Sequence, residues 1–148
     1  MLRTKQLSVF LENKTGRINQ VARILGDNGI NMLAFSIAET ADFGIIRMIV
    51  SDVERASQVM KEAHFAVRIT DVVCIKCSNE AGSLSKILDV LANANVFIEY
   101  MYAFSEGDTA RVVIRPTDLE SCVQILNENH FDIISNFSNP FSYRNKKC

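Results

Sequence analysis

Two short loops carry the residues best placed to hold a small molecule. Asn13-Lys-Thr-Gly16 and Asn79-Glu-Ala-Gly82 each stand between an alternating apolar run and a segment with helical spacing. Glycine there permits close backbone approach. The N–H groups of a helical first turn lack intrahelical partners, and the helix dipole favours an anion beside them. A free amino acid would offer its carboxylate to those groups. The amide oxygen of Asn13 or Asn79 could accept from its ammonium. The plainer reading is a turn that starts a helix and binds nothing; these residue types serve both. Thr15, Arg17 and Ser83 flank the glycines and supply polar contacts or plain surface. Ile18 and Leu84 are expected in the core, where they form the apolar floor of any site.

Other chemistry has less behind it. Cys74-Ile-Lys-Cys77 lies in a strand pattern. Residues three apart on a strand point to opposite faces, whereas redox pairs open a helix. His64 and His130 occupy matching places at two helix ends, where an imidazole interacts well with the dipole. No Ser-His-Asp order, phosphate-cradling glycine run or paired-carboxylate pattern stands out. The chain therefore reads as a non-enzyme, with no metal and no cofactor.

The elements that position the loops also come twice. Gly16 and Gly82 lie 66 residues apart, as do His64 and His130. The register holds between them: Leu25 matches Leu91, Asp42 matches Asp108, and Ser51-Asp-Val-Glu54 matches Thr117-Asp-Leu-Glu120. A period this long is a small domain rather than a solenoid unit. Each copy reads strand, helix, strand, strand, helix, strand. Leu7, Val9 and Leu11 alternate as a half-buried strand. Ile18, Val21, Ala22 and Leu25 follow at helical spacing, and Asp27-Asn28-Gly29 stops that helix. Ser51 with Glu54, and Thr117 with Glu120, read as capping boxes. Asp42 and Asp108 suit hairpin turns. The expected fold is α+β: two ferredoxin-like βαββαβ units, each an antiparallel sheet with both helices on one face. The units span residues 1–70 and 71–137, with a tail over 138–148. In strand two, Ile30, Met32 and Ala34 are expected to face the helices, and Leu33, Phe35 and Ile37 the other side. That second face would be apolar, and a covered face is what an apolar one needs. A homodimer is expected on that ground.

Composition narrows the class. The net charge is −1 over 148 residues, so there is no global field to hold a polyanion. The four cysteines do not follow the repeat, which fits free thiols in a reducing compartment. Met1-Leu-Arg-Thr-Lys5 runs straight into a strand pattern, so no signal peptide or membrane span is expected and the default location is the cytoplasm.

The sequence resembles a tandem pair of ACT domains. The residues that carry the likeness are Asn13-Lys-Thr-Gly16-Arg-Ile18 with Gly29-Ile-Asn-Met32, and Asn79-Glu-Ala-Gly82-Ser-Leu84 with Asn95-Val-Phe-Ile98. The likeness covers all but the tail. It implies regulatory modules that bind small ligands, most often amino acids, where two modules meet. On that basis Asn31, Met32, Ala81, Tyr100 and Tyr102 join the candidate ligand-binding residues. It also implies a sensor acting on a metabolic enzyme or regulator in trans. There are departures: Thr15 and Ala81 stand where the family often has proline, and Asn95-Val-Phe97 replaces the Gly-Ile-Asn entry. The two copies are therefore expected to play unequal roles. The alternatives are a purely structural dimerisation module and an RNA-binding βαββαβ domain. The latter needs aromatics on strand three, and Ile45–Val50 and Arg111–Arg115 have none. Neither nucleic acid nor membrane is an expected partner.

Overall fold

The structure is a computed structural model and describes residues 2–40 and 42–134. The expected tail, 138–148, lies outside the described residues. Two compact units divide the chain: residues 5–70, and residues 71–134 together with 2–4. The first unit contains β1 (Thr4–Glu12), α1 (Arg17–Asp27), β2 (Met32–Glu39), β3 (Phe43–Val50), α2 (Val53–Glu62) and the start of β4 (Ala66–Ser78). The second contains the rest of β4, α3 (Ser83–Asn93), β5 (Ile98–Glu106), β6 (Thr109–Pro116), α4 (Leu119–Glu128) and β7 (Asp132–Ile134). Strand neighbours run β2-β3-β1-β4 in the first unit and β5-β6-β4-β7 in the second. This is the βαββαβ arrangement that the repeat implies.

Strand alternation puts one apolar row under each helix pair. In the first unit Leu7 pairs with Met48 and Val9 with Ile46, so all four share a face. They form one buried core with Val21 and Leu25 of α1 and Ala56, Val59 and Met60 of α2. In the second unit Val73 pairs with Ile114 and Ile75 with Val112. Those four meet Ile87, Leu91, Cys122 and Leu126. Each fully buried leucine contributes roughly 1.5–3 kcal/mol. Residues 2–4 complete the second unit. Leu2 packs on its core, Arg3 Nη1 lies 3.0 Å from Asp71 Oδ2, and Thr4 Oγ1 donates to the Ile134 carbonyl at 3.4 Å.

A bulge corrects the reading of strand two. The β2–β3 register shifts between Met32 and Ala34, and the β5–β6 register shifts at the matching place, between Ile98 and Tyr100. One extra residue inverts every side chain beyond it. Phe35 pairs with Met48 and Ile37 with Ile46, so both lie on the helix face rather than opposite it. They sit on an edge strand and stay 56% and 38% exposed. The face away from the helices instead takes Ala34, Ser36 and Ala38 from β2. The case for a homodimer made from Phe35 and Ile37 loses those two residues.

The helix ends also differ from the capping-box expectation. The N-caps of α2 and α4 are Asp52 and Asp118, each accepting from the backbone N–H three residues on, at 3.1 Å. Ser51 is occupied elsewhere: its Oγ accepts from Asn31 N–H at 2.9 Å, and its own N–H donates to the Asn31 carbonyl at 3.0 Å. Aspartate one residue later caps as well as serine does. All four helices close in one way. Gly29, His64, Asn95 and His130 adopt positive φ, and the next residue donates back to Leu25, Met60, Leu91 or Leu126 at 2.9–3.0 Å. That is the Schellman pattern. His64 and His130 thus serve as left-handed helix stops.

Two outcomes follow for stability, read by urea unfolding. Asp118→Ala should cost about 1 kcal/mol, while Glu120→Ala should cost only a few tenths, its share of the dipole interaction. A capping box would make Glu120 matter as much as the cap. His64→Gly should stabilise by roughly 0.5–1 kcal/mol, because glycine carries no penalty at positive φ.

Candidate functional site

The two Asn-x-x-Gly loops start their helices without help from a side chain. Gly16 and Gly82 are the N-cap residues of α1 and α3, both at φ 90°, and neither helix has a capping side-chain bond or an acid in its first turn. By contrast, α2 and α4 have an aspartate cap and a first-turn glutamate, Glu54 or Glu120. Positive φ favours glycine at this corner. At the start of α3, Ser83 N–H is turned back to the Glu80 carbonyl at 3.2 Å, and the first helical bond is Lys86 N–H to Gly82 at 3.2 Å. The N–H groups between them, on Leu84 and Ser85, have no intrahelical acceptor.

In the second unit this corner opens on a cavity of about 240 Å³. Asn79, Glu80, Ser83 and Leu84 come from the loop and first turn. Cys77, Ala110 and Val112 form its floor, and Ala103–Ser105 of β5 form the far wall. Asn79 holds the loop in place: its N–H donates to the Asp108 carbonyl at 2.8 Å and its Nδ2 to the Gly107 carbonyl at 3.0 Å. Ser78 Oγ and Ser83 Oγ lie 2.7 Å apart and share a hydrogen bond. Leu84 is 40% exposed, so it lines the opening rather than entering the core as expected. Its counterpart Ile18 is 43% exposed. Both first-turn side chains are therefore partly open to solvent.

The structure gathers some candidates and separates others. Asn79, Ser83 and Leu84 line this cavity; Ala81 and Gly82 shape its loop without lining it. Tyr100 pairs with Arg115 and Tyr102 with Val113. Val113 pairs with Cys74, off the helix face, so both tyrosines lie on the sheet face opposite the cavity floor. Asn31 is engaged with Ser51, and Met32 packs on the first core. Asn13, Thr15 and Gly16 are exposed. Asn13 N–H reaches the Asp42 carbonyl at 3.3 Å, repeating the tie made by Asn79.

Arg17 belongs to a different cavity, of about 370 Å³, in the first unit. There it meets Phe10, Glu12, Phe43 and the turn around His64. Its guanidinium bonds Gln20 Oε1 at 3.1 Å and Glu12 Oε2 at 3.5 Å. Lys14, 3.0 Å from the same Glu12 oxygen, holds that carboxyl below its ordinary range, with Arg17 adding to the effect.

Cys77, Ala103, Ala110 and Val112 were not among the candidates read from sequence. The usable signal was the repeat's own mismatch, with Leu11 opposite Cys77 and Ile37 opposite Ala103. The thiols among the described residues are not activated. Burial pushes Cys74 up to about 11, against smaller opposing effects of Thr4 and Arg111. Burial, with Asp118 nearby, does the same to Cys122. Burial also raises Cys77. Cys74 and Cys77 face opposite sides of β4, as the strand reading requires.

A family model described as an ACT domain pair matches residues 2–139. Protein BT0572 from Bacteroides thetaiotaomicron is 49% identical, with a TM-score of 0.88 over 90% of this chain and 93% of that one. The ligand-free regulatory subunit of aspartate kinase from Thermus thermophilus is 12% identical, with a TM-score of 0.63 over 88% and 94%. Aspartokinase III from E. coli, in complex with lysine and aspartate, is 15% identical, with a TM-score of 0.50 over 86% of this chain and 31% of that one. The last two share the fold. No curated protein matches the chain.

The thiol environments can be checked by alkylation. At pH 8, native protein treated with N-ethylmaleimide should be modified at Cys77, which is half-buried, while Cys74 and Cys122 react only in urea. Peptide mass mapping that finds Cys74 or Cys122 modified first would contradict the burial described above.

Proposed function

Because the chain belongs to the ACT domain pair family, we propose that it is a regulatory module that binds a free amino acid in its second unit and passes that occupancy to a partner in trans. One observation carries the reading: the uncapped start of α3 opens on a cavity walled by Asn79, Ser83 and Leu84. A carboxylate there would accept from the Leu84 and Ser85 N–H groups and gain from the helix dipole. An ammonium would have the Asn79 amide oxygen or the Glu80 carboxylate within the same cavity. The role proposed is binding, in keeping with the family's regulatory modules. The aspartokinase relatives support regulation by fold alone, and the lysine and aspartate are bound by that other protein.

The test is a thermal-shift screen of the full chain against the twenty amino acids. A ligand at a hundredfold excess over Kd should stabilise by about 2.7 kcal/mol. Leu84→Glu should abolish the response by placing a carboxylate beside the ligand's own. The matching Ile18→Glu, at an equally exposed first-turn position, should leave it intact. A flat response to every amino acid at millimolar concentration favours a purely structural pair. Loss in Ile18→Glu alone would move the site to the first unit.

A further inference from the structure

The second unit's cavity and the matching places in the first unit differ at four positions. Its floor and far wall are Cys77, Ala103, Ala110 and Val112. The first unit has Leu11, Ile37, Gly44 and Ile46 at the same places. Three of the four exchanges put a larger group in the first unit. Leu11 there is 4% exposed and Ile46 1%, while Ile37 stays 38% exposed and Leu11 also lines the first unit's own cavity. Small residues at Cys77 and Ala103 therefore leave space in the second unit where the first unit carries leucine and isoleucine.

Size and charge then limit the occupant. A volume of about 240 Å³ lies below the roughly 300–1,000 Å³ of pockets for drug-sized ligands. The cavity suits a small ligand, and Cys77, Ala103, Ala110 and Val112 give it an apolar floor and wall. Among the described residues that line it, Glu80 is the charged one, and no lysine, arginine or histidine is present. An acidic side chain would meet no cation and would face Glu80. A basic side chain laid on the floor of Cys77, Ala110 and Val112 would find no acceptor there, and Glu80, the carboxylate among the described lining residues, lies at the loop that would already meet the ligand's own ammonium. A bulkier side chain such as an indole would reach past the exposed Ala103, beyond the cavity's apolar cover.

We propose that this cavity takes a free amino acid with a short, uncharged aliphatic side chain, and that Cys77 and Ala103 set its size limit. The proposal rests on the reading of the cavity as the ligand site.

Isothermal titration calorimetry of the full chain with L-valine, L-leucine, L-aspartate, L-lysine and L-tryptophan tests it. Valine or leucine should bind, with the other three at least tenfold weaker. Ala103→Ile restores the first unit's residue at an exposed position on β5 and should weaken aliphatic binding at least tenfold. Cys77→Leu should do the same from the floor. In wild-type protein the aliphatic ligand should slow N-ethylmaleimide modification of Cys77, a readout that needs no variant to fold. Aspartate, lysine or tryptophan binding as tightly as valine, and lost in Ala103→Ile, would overturn the ligand class while leaving the site in place. Aliphatic binding that neither variant alters, with Cys77 unprotected, would overturn both the size limit and the site. Silence from all five amino acids would overturn the ligand-site reading and this proposal with it.

Discussion

The second unit's cavity depends on the tie that Asn79 makes between two loops. Its backbone and side chain bond the carbonyls of Asp108 and Gly107, at the turn joining β5 to β6. That turn ends the strand whose Ala103 walls the cavity, and Asn79 begins the loop whose Gly82 starts α3. Two bonds from one residue therefore fix both sides of the opening. Gly82 adds the second constraint. At φ 90° it turns the chain sharply enough to start a helix that has no side-chain cap. A residue with a Cβ would be strained there.

The same scaffold in the first unit has a different balance. The backbone half of the tie persists, from Asn13 to Asp42, and Gly16 keeps its φ of 90°. Leu11 and Ile37 stand where the second unit has Cys77 and Ala103. Arg17, in the place of Ser83, turns to Glu12 and Gln20. The residues that specify the fold repeat: both bulges, all four left-handed helix stops and both aspartate caps. The residues that would specify a ligand do not. The two units therefore carry cavities with different linings on one scaffold.

Much of this was legible in the sequence, and the failures have physical causes. The 66-residue register gives the strand and helix order because core rows and turn residues are local patterns. The caps were read one residue early, since Ser51-Asp52 and Thr117-Asp118 each offer two competent capping side chains, and the choice is made by Asn31 and Phe97 across the unit. Face assignment in β2 failed at Leu33, because a bulge leaves no mark in alternation until the partner strand is known. Ile18 and Leu84 looked like core by type and spacing, yet both first-turn side chains stay partly open to solvent. Asn79, Ser83 and Leu84 were found from the loop motif. The cavity floor was not, because Cys77 and Ala103 carry no functional signature and matter through the volume they leave empty.

The central claim is that the second unit, at the start of α3, is where a ligand sits. Backbone amide shifts in a ¹H–¹⁵N correlation spectrum, followed as L-valine is added, test it residue by residue. The account predicts the largest changes at Asn79–Ser85 and at Ala103–Ser105, with the amides of Leu84 and Ser85 moving downfield as they gain an acceptor. Changes centred on Asn13–Ile18, or on Tyr100 and Tyr102 with the α3 amides unmoved, would contradict it.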